Sequence, residues 1–522
     1  MQTHVKDKNE SLIETPVPQA PQVEVKKITR GRSMVRIPTS RLSLALIVLF
    51  QGLISLLTLH NTAFQDEALY LLAGRQIFNG WVGLPHVSVP WGYYFSGYPY
   101  VYPVIGGVLD MLGGVALARM FSLLCMIGLT LSVYYVTKQL FDQISAILAA
   151  ALFASQGTVL FLGQLATYDA LCLLFLGLAT VLAIRVSIAR RPWAILGIGP
   201  LLTLAFLAKY AALLFAPIPL ALLFCYSIER QGWKRMLVRI GLALFSLIVT
   251  SVVTYLNFDK EALHGLINTT TNRDGIIVVK TSALVLAQHV VTLGGVGLAL
   301  GLLGLLLVSR RRFPIALVLF GAALLAPAYH IYKGELISLH KHIAFSMFFV
   351  MPLVGYAVAR ISDFRPNRAL GRYWLAGLAI YLFIFSLGVQ QAQSLYSDWP
   401  PSTNLTYALK TQVRSGVGRY LAEDFDVSRY YLQNTTALWQ WSSLDFFAYT
   451  DKQGHYLMGN AAYHAAIQDG YFDLIELNFG YRADVAGFVY HELSASKKYA
   501  LVAKVPLSNS YGTGYYWIWR KK

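Results

Sequence analysis

The sequence predicts a polytopic α-helical membrane protein with about eleven transmembrane helices and a small soluble domain at its C-terminal end. Three observations predict it. Hydrophobic residues make up 56% of the 522 positions and charged residues only 13%, whereas a soluble domain carries about 25% charged residues. Apolar runs of nearly the ~20 residues needed to cross a bilayer recur from residue 42 to residue 391. The basic residues gather in short segments between those runs. The net charge of +17 therefore reads as positive-inside topology, and no nucleic-acid partner is expected.

The elements follow in chain order. Residues 1–41 are polar and mixed in charge, too poor in apolar groups to bury a core, and are expected to be a disordered cytoplasmic tail. It closes on the basic cluster KKITRGRSMVR, just before the first span. That span follows a long polar stretch and reads as a retained anchor. Spans are expected near 42–60, 115–137, 143–161, 168–186, 193–208, 210–227, 237–256, 283–308, 313–330, 342–360 and 372–391. Lys138, Arg185 with Arg190 and Arg191, Arg230 with Lys234 and Arg235, Arg310 to Arg312, and Arg360 with Arg365, Arg368 and Arg372 then fall on one side. The N-terminus is expected inside and the C-terminus outside. Lys209 alone divides the run 193–227. A single kinked span there would invert everything downstream, and the charge pattern argues for two.

Outer loops are expected at 61–114, 257–282 and 331–341, with a short outer turn at GQLATYD. The first holds a helical stretch, DEALYLLAGRQIF, and an aromatic stretch, WGYYFSGYPYVYP. From 392 to 522 the chain turns soluble in character. Strand-like alternation in YALVAKVPL and the ending YYWIWRKK point to a small extracytoplasmic α/β or α+β domain. Cys125, Cys172 and Cys225 all lie in apolar runs, so that domain folds without disulfides even in an oxidising compartment.

Several residues bear chemistry, each with more than one reading. Asp66 and Glu67 open a helix near the membrane surface. They either act on an acceptor hydroxyl or amine as a general base, or favour the helix dipole in its first turn. Asp169, at the mouth of a span in ATYDALCLLF, orients an acceptor, joins a metal site or caps a helix. Lys209 either snorkels or holds a phosphate. His340, Lys341 and His342 form a cationic cluster suited to an anionic headgroup or to ordinary lipid contact. Two histidines at i, i+2 do not share a helix face, so no metal site is expected from them. Trp91 to Tyr102 either line a sugar or lipid groove or form an interfacial belt.

Taken together, QDEALYLLAGRQIF, GGVALARMFSLLCMIGLTLSVYYVTKQLF, TYDALCLLFLGLA and LAFLAKYAALLFAPIPL resemble the GT-C membrane glycosyltransferases, specifically glycosyltransferase family 39. The resemblance covers about residues 42–360, and the acidic pair is its most specific element. The sequence departs from the family pattern at SLHKHIAFSMFFVMPL, where relatives more often show a lysine followed by a proline-rich span start. The resemblance implies a GT-C-like fold and a donor sugar carried on a polyprenyl phosphate. It implies transfer outside the membrane, with inversion, to a protein, lipid or glycan acceptor. It makes Asp66 the base or the acceptor-orienting carboxylate, with Glu67 in support; Asp169 is expected beside them as an acceptor-side or secondary acid. Lys209 and Lys341, with His342 beside it, would hold the donor phosphate. A divalent metal is possible. The alternatives are a transporter or flippase for a lipid-linked sugar, which does no chemistry, and a scaffold subunit of a cell-envelope assembly.

Overall fold

The computed structural model describes residues 40–189, 193–270, 280–363, 373–445, 447–480 and 482–522. The tail expected at 1–41 lies outside the described residues up to position 39. So do Arg190, Arg191, Arg365, Arg368, Arg372 and positions 271–279 of the second expected loop.

The helices run α1 (Ser40–Thr58), α2 (Gln65–Trp81), α3 (Tyr102–Leu140), α4 (Gln143–Ala154), α5 (Gly157–Gly163), α6 (Tyr168–Ile188), α7 (Ile198–Ala208), α8 (Ala212–Phe215), α9 (Pro217–Gln231) and α10 (Trp233–Leu256). They continue with α11 (Lys260–Thr270), α12 (Ala283–Leu307), α13 (Phe313–Lys333), α14 (Leu339–Ile361), α15 (Trp374–Tyr396), α16 (Thr403–Lys410), α17 (Phe425–Leu432), α18 (Gly459–Asp469) and α19 (Ala483–Ala495). Among the described residues nine helices are long and apolar enough to cross a membrane, and ten if the bent pair α4–α5 is one span. The chain is a multi-pass membrane protein.

The expected count of eleven is corrected at two places. The run 143–161 breaks at Ser155 and Gln156, where α4 and α5 meet at 66°. The bend seats Gly157 against α15: a Cβ on Gly388 would lie 1.8 Å from the carbonyl oxygen of Ser155. Close backbone approach of this kind is open only to glycine. The run 193–208 forms a 3-10 turn and the eleven-residue α7, too short to span alone. Within α3, Gly113 and Gly114 leave helical geometry, Gly114 at φ 69°.

α14 runs through the middle of the bundle, with 94% of its most apolar window buried. Its first turn carries Lys341. The first turns of α2 and α6 carry Asp66 and Asp169, and the last turns of α6, α9 and α14 carry Arg185, Arg230 and Arg360. Arg311 pairs with Glu229 at 3.5 Å, tying the end of α9 to the turn before α13. In α6 the aspartate and the arginine thus sit at opposite ends, as do Lys341 and Arg360 in α14.

The C-terminal part forms a mixed five-stranded sheet of order β2-β1-β5-β7-β6. It comprises β1 (Tyr420–Ala422), β2 (Trp441–Ser443), β5 (Leu474–Leu477), β6 (Tyr499–Asn509) and β7 (Gly512–Lys521), with a separate hairpin of β3 (Ala448–Thr450) and β4 (Tyr456–Met458). β1 runs parallel to β2 and β5, and β7 runs antiparallel to β5 and β6. The runs YALVAKVPL and YYWIWRKK are the β6–β7 pair. Val427 and Tyr430 of α17 share a core with Ala68, Leu71 and Leu72 of α2 and Ala118 of α3. The Tyr430 hydroxyl also donates to Asp110 at 2.5 Å, and the Ala63 amide donates to the Tyr431 hydroxyl at 2.8 Å. These contacts fix the sheet domain over the start of α2.

Candidate active site

Asp66 and Glu67 are neighbours in sequence, but a helix turns about 100° per residue, and the two carboxylates meet different surroundings. Glu67 is fully buried. Its oxygens accept from Nε and Nη2 of Arg119 at 2.8 and 2.6 Å and from the backbone amides of Ala166 and Phe64 at 2.6 and 2.8 Å. Arg119 spends its remaining donors on the carbonyls of Asn61 and Thr62, at 2.8 and 3.0 Å. The Trp399 indole donates to the Thr62 carbonyl as well, at 3.0 Å. Glu67 and Arg119 therefore lock the segment before α2 to α3, to the α5–α6 turn and to the end of α15. With four acceptor bonds made, Glu67 has little capacity left for a substrate.

Asp66 points elsewhere. Its Oδ2 lies 2.5 Å from Nζ of Lys341, and its side chain stays 35% exposed while that of Lys341 is 5% exposed. The Phe64 ring lies 5.3 Å from the same ammonium. Beneath this pair, Lys209 is the C-cap residue of α7 and its ammonium bonds the buried carboxylate of Asp169. Thr167 donates to the other Asp169 oxygen at 3.1 Å. α7 ends at Lys209 because the chain turns there: the Tyr98 amide bonds the Leu207 carbonyl at 2.7 Å and the Tyr210 amide bonds the Ser96 carbonyl at 2.8 Å. Lys209 is thereby held inside the protein and does not snorkel.

The two ion pairs face one another. Tyr70 donates to the Tyr168 hydroxyl at 2.8 Å, and Tyr168 places its ring 5.2 Å from Lys209. Lys341 also senses the charge of Asp169. Two carboxylates and two ammonium groups balance in one cluster that is buried except at Asp66, and that balance is how the buried charges survive out of water. His342 reaches His330 of α13, with 2.7 Å between the ring nitrogens, and the other His330 nitrogen lies 2.7 Å from the Glu335 carbonyl. His340 turns to the opposite side, with its ring 5.4 Å from that of Phe161. Among the described residues no group of three or more His, Cys, Asp or Glu side chains is placed to hold a metal ion.

Asp66, Asp169, Lys209, Lys341 and His342 thus come together at one end of the bundle, and Glu67 lies one layer behind them. The aromatic stretch does not form a belt throughout: Trp91, Phe95 and Tyr102 are buried, while Tyr93 and Tyr94 are exposed. Sequence reasoning missed Arg119 and His330. An arginine in an apolar span was the available signal for the first. His330 carried none, because its partner comes from another helix. A surface cavity of about 400 Å³, lined by Gln139, Ile188, Tyr226, Arg230 and Gln231, lies about 30 Å further along α3 from Arg119 and is separate from the charged cluster.

Residues 104–255 match the family described as dolichyl-phosphate-mannose-protein mannosyltransferase. That segment contains Asp169 and Lys209 and excludes Asp66 and Lys341. No curated protein matches the chain. Among solved structures it is similar to ArnT from Cupriavidus metallidurans bound to undecaprenyl phosphate, with 14% identity and a TM-score of 0.58 over 92% of this chain and 97% of that one. It is similar to the Archaeoglobus fulgidus oligosaccharyltransferase tethered with an acceptor peptide, with 14% identity and a TM-score of 0.55 over 91% and 74% of the two chains. It is also similar to the arabinofuranosyltransferase AftD from Mycobacteria, with 15% identity and a TM-score of 0.54 over 92% and 42%. At these identities the likeness is one of fold. Over nine-tenths of its length this chain shares its fold with ArnT and with AftD.

Proposed function

We propose that this protein is a membrane glycosyltransferase that moves a sugar from a polyprenyl-phosphate donor to an acceptor on the side of the membrane that bears the sheet domain. The observation that carries the reading is the Asp66–Lys341 pair backed by Lys209 and Asp169. It offers a partly open carboxylate for an acceptor and two ammonium groups for a phosphate within one cluster. The N-terminus is then cytoplasmic and the sheet domain extracytoplasmic, since the basic helix ends lie away from it.

The donor phosphate competes with Asp66 for Lys341. As Lys341 turns to the phosphate, Asp66 is released to the acceptor. The acceptor oxygen or nitrogen gives its proton to Asp66 while bonding to the anomeric carbon. The bond from that carbon to the phosphate oxygen breaks on the opposite face, the electron pair leaves with the polyprenyl phosphate, and configuration inverts. Lys341 and Lys209 neutralise the charge that gathers on the leaving phosphate. His342 lies beside the same ammonium groups and completes the phosphate side, while Glu67 and Arg119 position the segment that carries Asp66.

The test is transfer by the purified protein in nanodiscs from synthetic undecaprenyl-phosphate sugars, with products identified by mass spectrometry. A glycosylated product of inverted configuration is expected from at least one donor. Failure to bind or cleave any undecaprenyl-phosphate sugar would overturn the reading.

A further inference from the structure

The sheet domain brings two charged side chains to Asp66 that the mechanism above does not use. Asp426 and Arg429 stand three positions apart on α17, so they share a face. They are only 7% and 8% exposed. Arg429 makes no hydrogen bond or ion pair among the described residues. Its Nε and the Oδ1 of Asp426 are both buried without a hydrogen-bond partner. The Arg429 guanidinium is held in place by aromatic rings, 4.5 Å from the centre of Phe425 and 5.9 Å from that of Trp91. The Asp426 carboxylate lies against the Gln65 side chain and senses the charges of Arg429, Asp66 and Asp445. Buried charges are ordinarily paired, and an unused guanidinium beside an unsatisfied carboxylate oxygen is costly to fold. Such a cost persists where a ligand supplies the missing partners.

We infer that Asp426 and Arg429 form a sugar subsite beside Asp66, binding neighbouring ring hydroxyls. The chemistry selects this class. A carboxylate accepts hydrogen bonds and a guanidinium donates them, and a sugar hydroxyl does both. An anionic ligand would meet Asp426 and Asp66 as well as Arg429, so a neutral polyol suits the pair better. The inference rests on the glycosyltransferase reading and deepens it. The hydroxyls belong either to the sugar on the donor lipid or to a glycan acceptor.

The experiment uses the full chain in nanodiscs, as wild type, Asp426→Asn and Arg429→Gln, with melting temperatures recorded for each. The probes are undecaprenyl phosphate, undecaprenyl-phosphate-linked mannose, glucose and 4-aminoarabinose, and a panel of methyl glycosides as soluble acceptor analogues. A donor-side subsite predicts that both variants lose at least ten-fold in affinity for the preferred sugar lipid and keep wild-type affinity for undecaprenyl phosphate. An acceptor-side subsite predicts unchanged affinity for all lipids and at least a ten-fold weaker response to the preferred methyl glycoside. A purely structural role moves neither sugar-dependent quantity. If folded variants match wild type on every probe, the subsite is overturned. Should Asp426→Asn fail to fold, Arg429→Gln decides alone. A wild-type protein that binds no undecaprenyl-phosphate probe instead overturns the functional reading and leaves the variants uninformative about donors; the methyl glycosides then still decide whether α17 binds a sugar.

Discussion

Nζ of Lys341, in the first turn of α14, lies 2.5 Å from Oδ2 of Asp66, in the first turn of α2, although 275 residues separate them. One partner is nearly buried and the other is partly open. A competing anion can therefore take Lys341 without stranding Asp66 out of water. The pair beneath it differs, since Lys209 and Asp169 are both buried. The first pair is built to exchange and the second to hold.

Asp66→Asn keeps a hydrogen-bond acceptor for Lys341 and removes the base. Turnover is expected to fall by roughly 10²–10⁴-fold, the usual share of general-base catalysis, while undecaprenyl phosphate affinity is kept or rises, because the anion competing for Lys341 is gone, and melting temperature stays near wild type. Initial rates at saturating donor and a thermal melt check this. Full turnover in the variant would remove Asp66 from the chemistry.

The two lysines should part company when changed to methionine. Lys341→Met leaves a carboxylate that water can reach, so the protein stays folded and binds undecaprenyl phosphate at least ten-fold more weakly. Lys209→Met strands Asp169, and breaking one side of a buried pair costs about 3–5 kcal/mol. Adding Asp169→Asn to Lys209→Met should restore most of the lost melting temperature. A lone Lys209→Met as stable as wild type would contradict the buried pairing.

Glu67→Gln acts on stability and hardly on rate. The amide keeps one acceptor oxygen and turns its NH₂ toward groups that donate, leaving Arg119 uncompensated. A loss of about 3–5 kcal/mol is expected, with turnover per folded molecule within a few-fold of wild type. Denaturation in mixed micelles alongside active-site-normalised rates separates the two quantities. An unchanged melting temperature with a large rate loss would return Glu67 to the chemistry.

Burial pushes the Asp426 carboxyl up to about 7, with Asp66 and Asp445 adding repulsion and Arg429 and Gln65 opposing the rise. Burial also pushes Arg429 down. A carboxyl raised in the fold binds a proton more tightly there than in the unfolded chain. Its contribution is therefore complete below about pH 4 and lost as pH rises through about 7, with a span of roughly 4 kcal/mol. The wild-type melting temperature, relative to that of Asp426→Asn, is expected to fall between pH 5 and pH 8. A constant difference across that range would contradict the raised value.

The orientation is open to a direct check. Fused after Lys522, alkaline phosphatase should be active and a cytoplasmic reporter silent. The reverse pattern would put Asp66, Lys209 and Lys341 on the cytoplasmic side and end the proposed site of transfer.

What the sequence determined by itself was local and repetitive. Burying some twenty apolar residues outweighs any weak preference along the chain, so most spans were legible as runs, and β6 was legible as alternation. Where backbone contact decided, the runs misled: Gly157 and Gly388 let α4–α5 bend against α15, and the turn at Lys209 stops α7 short of a span. Asp66, Asp169, Lys209, Lys341 and His342 could be named from charge in apolar surroundings and from family resemblance. Their pairing could not, because an ion pair depends on which helix ends meet. Only the tertiary structure set Lys341 against Asp66, turned Glu67 inward to Arg119 and joined His330 to His342. It also laid Asp426 and Arg429 over α2, and in sequence these two look like any charges of a soluble domain. A few ångströms decide whether a charge is paired, and that separation is set by packing between segments hundreds of residues apart.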